Sequence, residues 1–332
     1  MQDNINTIIT NSLDINKENL RINIKEILKL LKESILSNKD LILDTNKIDS
    51  KNNNGFIMDF NIVNNIISNL EKETILFGTT IISKRNDKMK LIYGQEVLEQ
   101  GNVIVINDGN PYIIIELAIR NILAGNTTIF SNTGYMYGTN QLIINLIQDA
   151  LEKLNISKYL LQLFITEEFN TILSNFANID LVICIGNNTL QRLVLNKSKN
   201  KTLISGYENF DLYIEDTNHL DLLNSIINSN LNIQLYINKN TNIDYKNAIL
   251  VDDLEEAIAQ INYNGSKYSS AIFTTSKENA SKFIKEVKSK TITINTSPTI
   301  ERLIDIKQED LVIIKNVIYP LTYTFTSTIN ID

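Results

Sequence analysis

From Val103 onward the chain follows a repeating grammar that few folds accommodate. Residues 103–130 read VIVINDGNPYIIIELAIRNILAGNTTIF: an apolar run, a turn at Asp108-Gly109-Asn110-Pro111, a helical pattern, a Gly125-Asn126 stop and a second apolar run. That is a strand–helix–strand unit, and the same alternation continues. Strands are expected at 103–107, 127–131, 160–166, 180–185 and 202–205, with helices at 112–123, 139–153, 168–176 and 188–196 between them. Short strands spaced by helices of this length predict a doubly wound, mostly parallel, Rossmann-like sheet. Its crossovers place helices on both faces.

The flanking stretches differ. Residues 1–17 are polar, a short helix or a loose arm, and from Asn19 the positions Ile24, Ile27, Leu28, Leu31, Ile35 and Leu36 recur at helical spacing. Further helices are expected over 41–48 and through Phe60, Val63, Ile66, Ile67 and Leu70. Residues 75–83 and 89–98 are β-prone around a polar turn at 84–87, which reads as a hairpin arm. After a strand at 210–215 and a helix at 218–229, a reduced α/β pattern follows: strands at 233–237, 248–251, 270–275 and 291–295, with helices at 253–263 and 276–287. The tail is again β-prone over 312–318 and 321–329. The expected division is a first part at 1–215 carrying the arm at 75–98, a smaller α/β part at 216–305, and C-terminal strands at 306–332 returning to the arm.

Composition narrows function. With 332 residues, 43% hydrophobic and 21% charged, the chain is long enough for two cores. A net charge of −7 gives no global basic field for nucleic acid or anionic membrane, so neither partner is expected. The single cysteine, Cys184, excludes an intramolecular disulfide and a Cys-based zinc site, and the single histidine, His219, argues against a His-based metal site or a Ser-His-Asp triad. No metal is expected. There is no apolar run of transmembrane length and no basic-then-apolar leader, so the expected location is the cytoplasm. Only 11 glycines and 3 prolines leave few loops of special backbone geometry.

Several strings, in order, resemble γ-glutamyl phosphate reductase (glutamate-5-semialdehyde dehydrogenase) of the aldehyde dehydrogenase superfamily. Residues 101–105, Asn110-Pro111 and residues 124–127 are similar to that family's first cofactor-domain unit, with Asn110 where the family has arginine. Residues 180–188 resemble its strand ending in a glycine-containing turn beside the cofactor. Residues 206–214 resemble its Gly-x-Gly-Asn-Cys-x-x-Tyr-Val strand: Gly206, Asn209 and Tyr213 match, while Glu208 and Phe210 replace the second glycine and the cysteine. Residues 252–261, 265–266, 271–274 and 292–297 resemble the late catalytic domain, and 318–324 its final strand.

The resemblance implies an aldehyde dehydrogenase-like fold, NADP as cofactor, and a dimer built through the arm strands. It implies cofactor contacts at Asn110, Pro111, Ser131, Asn132, Gly186 and Asn187, with phosphate received at the N-termini of the helices at 139–153 and 188–196. It also implies a cysteine nucleophile after the helix at 218–229, and none is present: that helix runs into Ser229-Asn230-Leu231-Asn232-Ile233, and the family's long following segment is missing. Cys184 lies in an apolar strand and reads as a core residue. Ser229 and Thr296 have no identifiable base, His219 reads as a first-turn surface residue, and the acidic pairs at 252–253 and 255–256 suit a helix N-terminus. The leading expectation is a degenerate, catalytically inactive relative with a binding, scaffolding or regulatory role and a cofactor contact that is reduced or lost. The alternatives are an active NAD(P)H-dependent reductase with an unusual nucleophile, and a partner subunit of an active paralogue.

Overall fold

The computed structural model describes the chain except residues 1, 14, 16, 53–56, 74–76, 108, 133, 166–177, 187, 206–209, 219, 228–232, 242, 244, 246, 266–268, 298–303, 305, 326–327 and 331–332. The chain forms two compact units. The first comprises Met1–Ser205 with Ile306–Asp332, and the second Gly206–Asp305.

Four helices open the first unit: α1 (Gln2–Leu13), α2 (Glu18–Ser37), α3 (Lys39–Asn52) and α4 (Phe60–Leu70). On α2, Leu20, Ile27, Leu31 and Ile35 form a buried stripe at helical spacing. On α4, Asp59 caps the first turn by accepting from the Asn61 amide at 2.9 Å, and Phe60, Val63, Ile66, Ile67 and Leu70 are buried. The hairpin is β1 (Thr80–Asn86) and β2 (Leu91–Glu99).

Then comes the alternating core: β3 (Asn102–Asn107), α5 (Pro111–Leu123), β4 (Thr127–Asn132), α6 (Tyr137–Glu152), β5 (Leu161–Ile165), β6 (Leu181–Ile185), α7 (Asn188–Lys197) and β7 (Lys201–Ser205). The expected helix at 168–176 lies outside the described residues. The five strands stand in the order β5-β4-β3-β6-β7, every neighbour parallel. The first strand is central and the winding reverses between β3 and β6, the topological switch point of an open α/β sheet.

All 13 residues of α5 are buried, so its polar side chains have to be satisfied internally. Arg120, 1% exposed, pairs with Glu116 at 3.1 Å and with Glu73 at 2.5 Å. Burial alone would depress its pKa, but the two carboxylates outweigh burial and raise it, keeping the guanidinium charged. The helix ends in a Schellman turn: Gly125, at φ +77°, donates to Ile122 O, and the Asn126 amide donates to Asn121 O at 2.9 Å. A Cβ at Gly125 would lie 2.5 Å from the Phe77 ring.

Asn126 is then used at every valence. Its Oδ1 accepts from the Gln100 and Gly101 amides at 2.9 and 3.2 Å, and its Nδ2 donates to Asn121 Oδ1 at 3.1 Å and Leu311 O at 2.9 Å. One buried amide thereby ties the end of α5, the β2–β3 connection and the C-terminal segment together.

The second unit consists of β8 (Phe210–Ile214), α8 (Leu220–Ile227), β9 (Ile233–Asn238), β10 (Ile249–Val251), α9 (Leu254–Asn264), β11 (Ser269–Phe273), α10 (Lys277–Glu286) and β12 (Thr291–Ile294). Its sheet, β10-β9-β8-β11-β12, is again parallel throughout and has the same order of winding as the first. Alternating side chains make two cores. Tyr213, Tyr236, Ile272 and Phe283 belong to one, and Leu212, Ile214, Leu235 and Phe273 to the other.

Two expectations need correction. The division was drawn after residue 215, but β8 is the central strand of the second sheet, so the break falls between Ser205 and Gly206. An apolar run reads alike whichever sheet it joins, because its pairing partners are distant in sequence. The tail was expected to continue as a strand over 321–329. Instead β13 (Val312–Pro320) ends at a proline and turns, with Leu321 N donating to Lys90 O and Tyr323 N to Pro320 O, and only β14 (Thr328–Asn330) is extended. Tyr323 and Phe325 pack their rings on Tyr319 at 4.7 and 4.9 Å. The fourth sheet position is thus filled from the tail: the arm is ordered β13-β2-β1-β14, with β13 antiparallel along β2 and β14 parallel to β1. Among the described residues no helix is long and apolar enough to cross a membrane.

Replacing Asn126 by alanine leaves two amides, Asn121 Oδ1 and Leu311 O without their partner, so we expect a loss of about 3 kcal/mol or more. Urea unfolding should show it as a lower midpoint, with amides of β13 exchanging faster than those of β6. An unchanged midpoint would refute the role given to this side chain.

Candidate functional site

The switch-point end of the first sheet is built from three turns. At the end of β3, Asn107 is fully buried, and its Oδ1 accepts from the Gly109 amide at 2.6 Å. Gly109 has φ +96°, and a Cβ there would sit 2.4 Å from Tyr135 O, so the turn admits only glycine. Asn110 caps α5, its side chain accepting from the Tyr112 amide at 2.9 Å, and Pro111 takes the first helical position. The Tyr112 hydroxyl accepts from Asp59 N at 2.5 Å and donates to Asp59 O at 3.2 Å. Burial, chiefly, pushes its pKa far up and keeps it protonated.

The second turn follows β4. Ser131 closes the expected strand and is fully buried, and the strand runs one residue further, to Asn132. Met136, at φ +53°, precedes α6 and gives no side-chain cap. The cap comes from α3: Asp49 Oδ2 accepts from both the Thr139 amide and the Thr139 hydroxyl, each at 2.7 Å. Gly138 leaves room for that carboxylate, since a Cβ there would lie 3.0 Å from Asp49 Oδ1. Asn140, fully buried, donates from Nδ2 to Gly109 O at 2.6 Å and Tyr135 O at 3.2 Å, stitching this turn to the first.

At the third turn Gly186 O accepts from Gln191 Nε2 at 2.7 Å, and a Cβ on Gly186 would meet Leu190 at 2.6 Å. Asn187 lies outside the described residues. The structure therefore brings Asn110, Pro111, Ser131, Asn132 and Gly186 to one end of one sheet, with Asn110 and Pro111 engaged in starting α5. Sequence reasoning missed Asp49, Asn107 and Asn140. The signals available were an asparagine closing an apolar strand and a Gly-Thr pair opening a helix.

Three buried atoms here, Asn107 Nδ2, Ser131 Oγ and Asn140 Oδ1, have no hydrogen-bond partner. The turns at 108–111, 131–134 and 186–188 carry no Lys or Arg. A dinucleotide phosphate does not fit the N-terminus of α6 as it stands, because the amide and hydroxyl that would receive it are engaged with Asp49.

The switch point of the second sheet is polar but satisfied. Glu215 accepts from the Thr274 hydroxyl and from Asn279 Nδ2, the latter at 2.6 Å. Asp216 accepts from Thr275 N at 2.5 Å, Thr275 Oγ1 at 2.8 Å and Asn218 N at 3.1 Å. Burial would raise its pKa, yet these hydrogen bonds hold the carboxyl below the usual range. Asn295, at φ +51°, brackets the Thr274 peptide, accepting from its amide and donating to its carbonyl, both at 2.9 Å. Asp253 caps α9 by accepting from Glu256 N at 2.9 Å, the helix-terminus role expected of the acidic pairs. Ser276 caps α10, accepting from Asn279 N at 3.2 Å. His219 and Ser229 lie outside the described residues. No group of three or more His, Cys, Asp or Glu side chains among the described residues is arranged to hold a metal ion.

Cys184 is 0% exposed, at the middle of the first sheet in a cluster with Ile104, Ile106 and Val182.

No family model matches the chain. Over 150 residues it is 22% identical to γ-glutamyl phosphate reductase of Dictyoglomus thermophilum, a match covering 44% of this chain and 36% of that protein. The matched region is thus little more than a third of the relative's length. Solved structures give the fold. γ-Glutamyl phosphate reductase of Thermotoga maritima aligns with TM-score 0.59 and 15% identity, covering 98% of each chain. A probable aldehyde dehydrogenase of Listeria monocytogenes gives TM-score 0.72 and 12% identity over 95% of this chain and 96% of that one. Glyceraldehyde-3-phosphate dehydrogenase of Methanocaldococcus jannaschii, solved with NADP, gives 0.70 and 13% over 96% and 94%. The fold is aldehyde dehydrogenase-like, and the chain is a divergent likeness of γ-glutamyl phosphate reductase.

The stitch between the first two turns is testable. Asn140→Ala removes both donors to Gly109 O and Tyr135 O, and we expect a cost of about 1–3 kcal/mol. Thermal denaturation checks the cost, and hydrogen exchange should rise at the Gly109 amide. Equal stability of variant and parent would show that the turns hold without Asn140.

Proposed function

We propose that this chain keeps an aldehyde dehydrogenase-like fold without the thiol-dependent redox step, and that it serves as a binding, scaffolding or regulatory protein of the cytoplasm. The observation carrying this reading is the position of Cys184. Reduction of an acyl phosphate on this fold requires a thiolate to attack the acyl carbon, expelling phosphate and forming a thioester that hydride then reduces. The chain has one cysteine, and it is sealed in the apolar middle of a parallel sheet. A thiol buried there has no access to a substrate. The engaged turns of the first sheet support the further reading that the NADP contact of a related reductase is reduced here.

The purified protein should give no turnover with NADPH and γ-glutamyl phosphate, nor in reverse with glutamate semialdehyde, NADP and inorganic phosphate. Cys184 should react with a thiol reagent only after unfolding. Turnover that the reagent abolishes in the native state would overturn the proposal.

A second reading, compatible with the first, is assembly through the arm. β13 is an edge strand paired on one side by β2, and Ile313, Ile314 and Ile318 are 37%, 43% and 59% exposed. A long edge with apolar side chains exposed along it is a template for another strand. We expect a dimer of this chain, or a pair with a paralogue, in sedimentation velocity. The double substitution Ile314→Lys, Ile318→Lys should return it to monomer, and a monomeric parent that also recovers no paralogue from its native cell would exclude this reading.

A further inference from the structure

Both backbone groups of Gly109 are taken by asparagine side chains. Asn107 Oδ1 accepts from its amide and Asn140 Nδ2 donates to its carbonyl, each at 2.6 Å. Two carboxamides, one at the end of β3 and one in the first turn of α6, are thereby held on a single residue. Each has one end used and one left over. Asn107 Nδ2, a donor, and Asn140 Oδ1, an acceptor, have no hydrogen-bond partner in the chain, and both side chains are 0% exposed. The third such atom at this end of the sheet, Ser131 Oγ, stands apart from them. Ser131 is in register with Ile106, and so faces the opposite side of the sheet from Asn107.

We propose that these two amides form the binding site of one buried water molecule, which accepts from Asn107 Nδ2 and donates to Asn140 Oδ1. An amide donor and an amide acceptor left unmatched inside a protein cost more than immobilising a water does. The two ends are complementary yet do not bond each other, and water is the smallest group that both accepts and donates. A carbonyl oxygen has two lone pairs, so Gly109 O, beside its bond from Asn140, is the acceptor for the water's second hydrogen. That gives the three hydrogen bonds usual for a buried water. Neither amide can turn its free end to bulk solvent: Asn107 stands in register with Ile185, and Asn140 precedes Ile143 and Ile144 on the same face of α6, all three fully buried. The water completes the hold of both asparagines on the Gly109 peptide, so that the turn after β3 is fixed from inside the fold. The inference does not depend on whether the chain catalyses.

The test is water-to-protein Overhauser NMR on the full chain, read at the Asn107 side-chain amide. The parent should give a water cross-peak there with the sign of a molecule held longer than the protein takes to tumble. Asn140→Leu, which removes the acceptor, should lose that cross-peak while the Asn107 side-chain amide remains visible. Should the leucine variant fail to fold, a crystal structure of the parent at high resolution decides. It should show one water within about 3 Å of both Asn107 Nδ2 and Asn140 Oδ1. A cross-peak that persists unchanged in the folded variant would overturn the proposal. So would a parent without the cross-peak, two separate waters in the crystal, or a direct bond between the two amides.

Discussion

The first unit depends on the four hydrogen bonds of Asn126. A helix buried on every side is stable only if its end is closed without stranding polar groups, because an unmatched buried amide costs about as much as several good contacts contribute. The Schellman turn at Gly125 satisfies the last carbonyls of α5, and Asn126 uses its side chain to hold three separate stretches of chain at that point. One of them, at Leu311, comes from 185 residues away. The C-terminal strand is therefore delivered to the arm from a fixed place, and Gln100 reinforces it by donating to Val312 O at 2.9 Å. The sheet, the helix and the arm share one polar joint in an otherwise apolar setting.

Both units solve the same packing problem in the same way. Each winds outward from a central strand, reverses once, and so leaves a switch point at the carboxyl ends of its strands. Such an end always presents helix N-termini whose amides need acceptors. In an enzyme, a ligand can supply some of them. Here the chain supplies them itself: Asn110 for α5, Asp49 for α6, Asp253 for α9 and Ser276 for α10. Glu215 and Asp216 are likewise bound to the hydroxyls and amides around Thr274, leaving neither in the position of an unengaged general base.

How much of this was legible in the sequence follows from range. The strands and the described helices of 103–205 were readable because an all-apolar run bounded by Asn, Gly or Pro is a local signal. Gly125-Asn126 was readable as a helix stop for the same reason, although nothing local says that Asn126 reaches Leu311. β8 was assigned to the wrong unit because sheet membership is a matter of pairing with β9 and β11, far along the chain. The candidate site was legible as a set of turns and illegible as chemistry. Ser131 reads as the last residue of a strand beside a polar turn, and nothing local says that its hydroxyl is buried. Asp49 sits on the polar stretch of a helix 90 residues before its partner, and no periodicity marks it.

Asn126 stands at the amino end of β4, whereas Asn107, Ser131 and Asp49 cluster at the carboxyl ends of the same sheet. Residues that hold the fold and residues that would hold a ligand are thus separated by the length of the strands. Substitution at the carboxyl ends is limited by one local demand, that helix amides find an acceptor, and a carboxylate from α3 meets it as well as a phosphate would. With that demand met from within, the stability of this end does not depend on a bound ligand. Cys184 fits the same logic. In the centre of the sheet a thiol packs as a small apolar side chain, here among Ile104, Ile106 and Val182.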